Sequence, residues 1–215
     1  MNFSSLACEQ TKIAGKIKIK HFDKKIKTVA GIDVSFIKEK GLGVICVLSF
    51  PDLKEIETIY ASGKPKIPYI SGFLAFREGP IIEKAFKKLS LKPDILIFDG
   101  HGIAHPRKCG IASHMGVLLN MPSIGAAKSR LTGNYKEPAF KKFSKTILKD
   151  NNAKQIGIVL RTKEKTNPLF ISPGHLTDFD SAENIIKKCL NGYRLPEPTR
   201  LAHIKSKLLL KSLKM

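Results

Sequence analysis

Three acids stand where their neighbours make a carboxylate costly. Asp33 interrupts the apolar stretch Thr28 to Phe36 (TVAGIDVSF), where an unpaired charge is expensive to bury. Asp99 ends the apolar run Ile95-Leu-Ile-Phe and opens directly into Gly-His-Gly-Ile-Ala-His105-Pro-Arg-Lys-Cys109. An acid at the end of such a run sits at the carboxyl edge of a sheet, where open α/β folds build their sites. Glu78, beside Arg77, falls at the start of an expected helix. Carboxylates converging from separate elements offer the oxygen ligands that a hard cation such as magnesium favours, a chemistry suited to phosphodiester cleavage. Taken singly, Glu78 also reads as an acid complementing a helix N-terminus and Asp99 as a turn acid. Neither a cap nor a turn accounts for Asp33.

Other polar groups cluster near these acids. His101, His105, Cys109 and His114 suggest a zinc site, but Gly100, Gly102 and Pro106 oppose a helix there, and Pro106 biases His105 toward an extended backbone. A histidine lining a pocket, or a structural one, fits better than a zinc ligand. Lys128 follows a short strand and Gly125-Ala-Ala, a position from which an ammonium can reach a phosphate oxygen, although an exposed lysine is the plainer reading. Tyr69, between Pro68 and Ile70 in a breaker-rich loop, can stack on bases or wedge into a duplex, or simply anchor the loop. The chain has no GxSxG elbow, P-loop, HExxH, or GxGxxG after its first strand.

The elements that must position these groups follow from hydrophobic patterning. Residues 1–27 are basic, and the spacing of their isoleucines does not decide between helix and strand. Thr28 to Phe36, Gly43 to Phe50 and Leu53 to Ala61 read as three strands of a meander, the first two joined by a short turn. A helix is expected over 73–90, the strand at 95–98, a helix over 109–120 and a strand at 122–125. The basic stretch to Asn152 shows no clear pattern. A hairpin at 155–161 and 169–172 and a helix from about Asp178 to Leu190 complete the core. Arg194-Leu-Pro-Glu-Pro-Thr-Arg200 reads as a stiff extended connection, and 201–215 as a basic helix that touches phosphates, the core, or both.

Charge narrows the partner. Among 215 residues, 38 Lys and Arg against 18 Asp and Glu leave a formal +20, which favours a polyanion, although a lysine-rich solvated surface gives the same sum. The four cysteines form no CxxC pair, so a disulfide framework is not expected and a reducing cytoplasmic setting is. No run reaches the length that spans a bilayer, so no membrane partner is expected. Three strands, then helix, strand, helix, strand, with no internal repeat, predict one α/β domain with a central mixed sheet flanked by helices.

Together the segments are more specific than their parts. Gly31-Ile-Asp-Val-Ser-Phe36, Pro68-Tyr-Ile-Ser-Gly-Phe-Leu-Ala-Phe-Arg-Glu-Gly-Pro80, Asp99-Gly-His-Gly-Ile-Ala-His-Pro-Arg107, Ala112-Ser-His-Met-Gly-Val117, Ile124-Gly-Ala-Ala-Lys-Ser129 and Arg194-Leu-Pro-Glu-Pro-Thr-Arg-Leu-Ala-His203 resemble the endonuclease V family in order and spacing. The resemblance runs from about Val29 to His203. It implies a ribonuclease H-like fold and a magnesium-dependent endonuclease, with manganese as a substitute; a monomer is expected, although nothing in the sequence gives the oligomeric state. The substrate would be deoxyinosine in DNA or inosine in RNA, cut at the second phosphodiester bond on the 3′ side to leave 3′-hydroxyl and 5′-phosphate ends.

The resemblance also assigns roles. Asp33, Glu78 and Asp99 would be the metal carboxylates, Lys128 the cation at the scissile phosphate and Tyr69 the wedge. Gly72, Leu74, Gly100, His105, Gly110 and Ile111 would line the pocket for a flipped hypoxanthine, the glycines letting backbone amides approach its edge. His175, with Asp178 near it, matches a further histidine at the substrate and metal site. Ser71 departs from the proline that the family usually carries in the wedge loop, which implies a less rigid loop. Two other readings remain open at this stage: a nuclease for branched or flap DNA, and a protein that binds damaged or structured strands without cutting them.

Overall fold

The computed structural model describes residues 3–212. Its centre is one sheet. Strands β1 (Thr28–Ile37), β2 (Lys40–Ser49), β3 (Glu55–Gly63), β4 (Ile95–Phe98), β5 (Ser123–Ala127), β6 (Lys145–Lys149), β7 (Gln155–Leu160) and β8 (Leu169–His175) lie in the order β3-β2-β1-β4-β5-β8-β7-β6. β1, β4 and β5 are mutually parallel neighbours, and the remaining pairs are antiparallel. The expected meander and late hairpin are present. β6 lies in the stretch that gave no pattern: with Lys145 and Lys149 exposed and only Leu148 buried, this edge strand lacks a continuous apolar signature.

Helices cover both faces: α1 (Phe3–Ala14), α2 (Leu74–Phe86), α3 (Ile111–Leu119), α4 (Phe179–Lys188) and α5 (Glu197–Ser212). The central strands are largely apolar because both of their faces are covered, with Asp33 the charged exception in β1. Alternate residues separate cleanly. Val29, Ile95 and Ile97 belong to a core shared with Ala182, Ile186, Ala202 and Leu210 of α4 and α5. Ala30, Leu96 and Phe98 belong to a second core, with Ile82 and Ala85 of α2 and Ala112 and Met115 of α3.

Two helices depart from the sequence expectation. α1 occupies residues whose isoleucine spacing was undecided, and it buries Gln10 and Ile13. α5 begins at Glu197, inside the stretch expected to be an extended connection. Proline is tolerated in the first turn of a helix, where its missing N–H has no intrahelical partner to lose, so Pro198 opens α5 rather than preventing it. Nor is α5 a surface tail. Its first turn crosses β1 so closely that a Cβ on Gly31 would lie 2.0 Å from the Pro198 carbonyl carbon. Residues 213–215 of the expected C-terminal helix fall outside the described residues.

Candidate active site

The two-residue period of β1 decides which helix meets Asp33. Val29, Gly31, Asp33 and Ser35 point to the α5 side, and α5 answers with polar groups one turn after its close crossing. His203 Nδ1 lies 3.2 Å from Asp33 Oδ1, and Ser206 Oγ donates to Asp33 Oδ2 at 2.5 Å. Ser35 Oγ also donates to Oδ2, at 3.2 Å. A carboxylate inside an apolar strand is thus held by hydroxyls and an imidazole, which fixes its orientation. Glu78 arrives from the other face of the sheet, in the second turn of α2, further into the helix than the sequence suggested. Asp99 stands at the strand edge between the two faces and forms an ion pair with Lys128.

The three acids line one cavity of about 230 Å³, together with Ile32, Val34, Tyr69, Leu74 and Phe98. Burial, then the negative charges of Asp33 and Asp99, push the Glu78 carboxyl well above the usual carboxylate range, with Arg77 pulling the other way. Crowded carboxylates that resist ionisation together become comfortable when a cation sits among them. The donor chemistry fits a divalent cation: ligand atoms of Asp33, Asp99 and His203 all lie within 4.8 Å of one another, with Glu78 on the same cavity wall. His203 was not singled out from the sequence. It closed the Arg194–His203 motif, and the signal to its role was Pro198 as a helix opener, which puts His203 on the first turns of a helix over β1.

A second cavity of about 380 Å³ adjoins the first, and Tyr69, Leu74, Asp99 and Ile111 line both. Its walls bring together Gly72, Leu74, Gly100, His105, Gly110, Ile111 and Lys128. Tyr69 is 71% exposed at the shared boundary. The glycines act differently from the expectation: the Gly100 and Gly110 amides are already donated to the carbonyls of Phe98 and Gly102, at 2.9 Å each. They let the turn pack on itself rather than leave those amides free for a base.

His105 is also committed within the wall. Its Nδ1 accepts from the Arg107 amide at 3.1 Å, so Nε2 carries the proton and donates to the Gly72 carbonyl at 3.0 Å. Burial lowers its pKa to about 4, so it is neutral near pH 7. The same Gly72 carbonyl accepts from Gln10 Nε2 at 3.1 Å and Arg107 Nη2 at 2.9 Å. Three donors on the carbonyl of Gly72, itself at φ +81°, tie down the wedge loop despite Ser71. Gln10, on a helix the sequence did not resolve, is therefore part of the cavity wall.

His175 is elsewhere. It is the last residue of β8 and pairs with Ser123 at the start of β5, the sheet edge opposite Asp99. Its Nδ1 accepts from the Lys18 amide at 3.2 Å, and Asp178 caps α4 by accepting from Ser181 N at 2.8 Å. The antiparallel run of β8 accounts for this: the strand starts at the site edge and carries His175 away from it. The zinc group does not assemble either. Among the described residues the one metal-competent cluster is Asp33, Asp99 and His203, and burial pushes the Cys109 thiol up to about 12, away from the thiolate that zinc needs.

Residues 11–204 match the sequence profile of the endonuclease V family. The chain belongs to the endonuclease V family. An endonuclease V of Kosmotoga olearia is 48% identical over 204 residues, covering 94% of this chain and 90% of that relative. The crystal structure of endonuclease V from Bacillus subtilis superposes with a TM-score of 0.94 at 31% identity, covering 100% of this chain and 94% of that one. A Ciona intestinalis endonuclease V, solved with a 24mer DNA containing an inosine followed by a ribo-adenosine, gives a TM-score of 0.87 at 28% identity and covers 98% of each chain. The α/β sheet described above is thus the ribonuclease H-like fold of endonuclease V.

Proposed function

We propose that the chain is an inosine-directed repair endonuclease that uses magnesium, with manganese as a substitute, and cuts the second phosphodiester bond 3′ to the lesion. One observation carries this reading: an acid cavity and a base-sized cavity meet at Asp99, with Tyr69 at their shared lip. The Ciona relative bound to inosine-containing DNA supports the choice of base. Four free cysteines agree with a reducing cytoplasmic setting.

Asp33, Asp99 and Glu78 would hold the cation, with His203 beside it. When bound, that cation supplies an activated water and offsets charge on the leaving oxygen. The residues of the chain do the rest. Ser206, Ser35 and His203 keep the Asp33 oxygens aimed. Lys128, paired with Asp99, lies where its ammonium could reach a phosphate oxygen and stabilise the charge that develops there. Tyr69 fills the gap that an extruded base leaves, and the weak pairing of a deaminated base lowers the cost of extrusion. The cut then leaves a 3′-hydroxyl and a 5′-phosphate.

The test is parallel cleavage of single-stranded inosine DNA, inosine RNA and undamaged flap controls with magnesium or EDTA, mapping each cut. Asp99→Ala should abolish nicking while largely sparing binding. Undiminished cleavage by that variant, or retention without a nick by the unaltered protein in magnesium, overturns the assignment.

A further inference from the structure

The strand register that gathers the acids carries the same sheet edge well past them. From Asp99 at the end of β4, the edge passes Lys128 after β5, Leu169 at the start of β8, Leu160 at the end of β7 and Lys145 at the start of β6. Four strand spacings of ~4.8 Å put this last position roughly 19 Å from the acids. That is about five to six stacked base steps at ~3.4 Å, and fewer in an extended strand.

The segment that enters β6 there, 137–144, exposes two aromatic rings in fixed positions. Phe140 is 71% exposed and Phe143 42%. Beneath them Arg161, only 2% exposed, spends its guanidinium on the segment. Nε donates to the Ala139 carbonyl at 3.2 Å, Nη2 to the Pro138 carbonyl and to Glu137 Oε1 at 2.8 Å each, and Nη1 to the Thr166 carbonyl. The guanidinium carbon is 5.1 Å from the Phe140 ring centroid. Phe143 is held at φ 69°, a left-handed conformation that costs energy in a bulky residue, with its amide donated to the Arg161 carbonyl at 2.7 Å.

Cations surround the rings. Lys142 and Lys187 place Nζ 4.8 Å and 5.4 Å from the Phe143 centroid. Lys141 is exposed on the same segment, whereas Lys145, at the start of β6, and Lys187 are both ion-paired with Glu183, which leaves Lys141 and Lys142 to face solvent. The one acid from 137 to 145, Glu137, is taken by Arg161.

We propose that this ridge is a second nucleic-acid contact, where bases of a single-stranded flank stack on Phe140 and Phe143 and Lys141 and Lys142 hold its phosphates. The inference rests on the nucleic-acid reading given above and extends it away from the reacting centre. Alternating rings and cations match the alternation of base and phosphate along a strand, and stacking tolerates any sequence.

The experiment measures binding by fluorescence anisotropy, and cleavage, on inosine-containing single-stranded DNA with ten-nucleotide flanks. A second series shortens either the 5′ or the 3′ flank to two nucleotides. On the long strand Phe140→Ala should weaken binding about fivefold or more, with turnover at saturation unchanged. The difference should vanish when one particular flank is shortened. Replacing Lys141 and Lys142 together by alanine should flatten the salt dependence of long-strand binding. Urea midpoints of the variants should equal that of the unaltered protein, because these side chains are exposed. An equal defect at every length, or none on the long strand, overturns the ridge and leaves the assigned activity standing. Absence of cleavage by the unaltered protein strikes the activity, while anisotropy still decides the ridge.

Discussion

At the scale of single residues, the informative feature is how Asp33 is supported. Three side chains meet at its carboxylate: Ser35, two residues along the same strand, and His203 and Ser206 from the last helix. Groups that orient a metal carboxylate are commonly worth ten- to a hundredfold in metal affinity. His203→Ala is therefore expected to weaken divalent-cation binding by about that factor, read by calorimetric titration, with the fold intact by circular dichroism. An unchanged affinity would remove His203 from the metal centre. The residues that sequence reasoning placed around Asp99 come together in the two cavities, because strand ends and the turns that follow them are local features. His175 does not join them, since its place depends on the direction in which β8 runs.

Among elements, the contact between β1 and α5 sets the site. Gly31 has no room for a side chain because the Pro198 backbone occupies that space. Gly31→Ala must push α5 outward, and α5 carries His203 and Ser206. Overpacking of this kind costs ~1–3 kcal/mol or more, so the variant should lose stability in urea denaturation and lose cleavage more than stability alone explains. Full activity with native stability would contradict the account of how α5 is seated. The strands β1, β4 and β5 and helices α2 to α4 were legible because each carries a local signal: a continuous apolar run, a helical period, or an acid at the N-terminus. α1, β6 and the first turn of α5 were not. Their buried sides are short, and what they bury against is supplied by distant segments.

For the whole molecule, burial of three uncharged imidazoles sets the response to acid. Burial lowers the pKa values of His101, His105 and His114 to about 4 from the ordinary 6.5. Between those values the unfolded chain binds more protons than the folded one, so stability is full above about 6.5 and falls as pH drops toward 4, by up to ~1.4 kcal/mol per pH unit for each ring. Urea midpoints should therefore decline from pH 7 to pH 5, and a constant midpoint over that interval would show that the rings are not buried neutral. The surplus of cations works at the same scale. The +20 formal charge draws a polyanion toward the protein from any direction, but the sheet edge decides where a strand lies once it arrives.

The sequence by itself determined the chemistry available. Legible there were an acid inside an apolar strand, an acid at a strand end, a third acid on a helix, a lysine after a strand and an aromatic in a breaker-rich loop, because each is defined by its own neighbours. Only the tertiary structure decided that His203 and Ser206 hold Asp33, that Gln10 and Arg107 clamp the wedge loop through Gly72, and that His175 faces the opposite edge. The contacts among these join residues from 35 to 173 positions apart, and His175 lies at the far end of its strand from the site. Local patterning specifies that an element forms and which face it buries, whereas strand order and direction specify which elements share an edge.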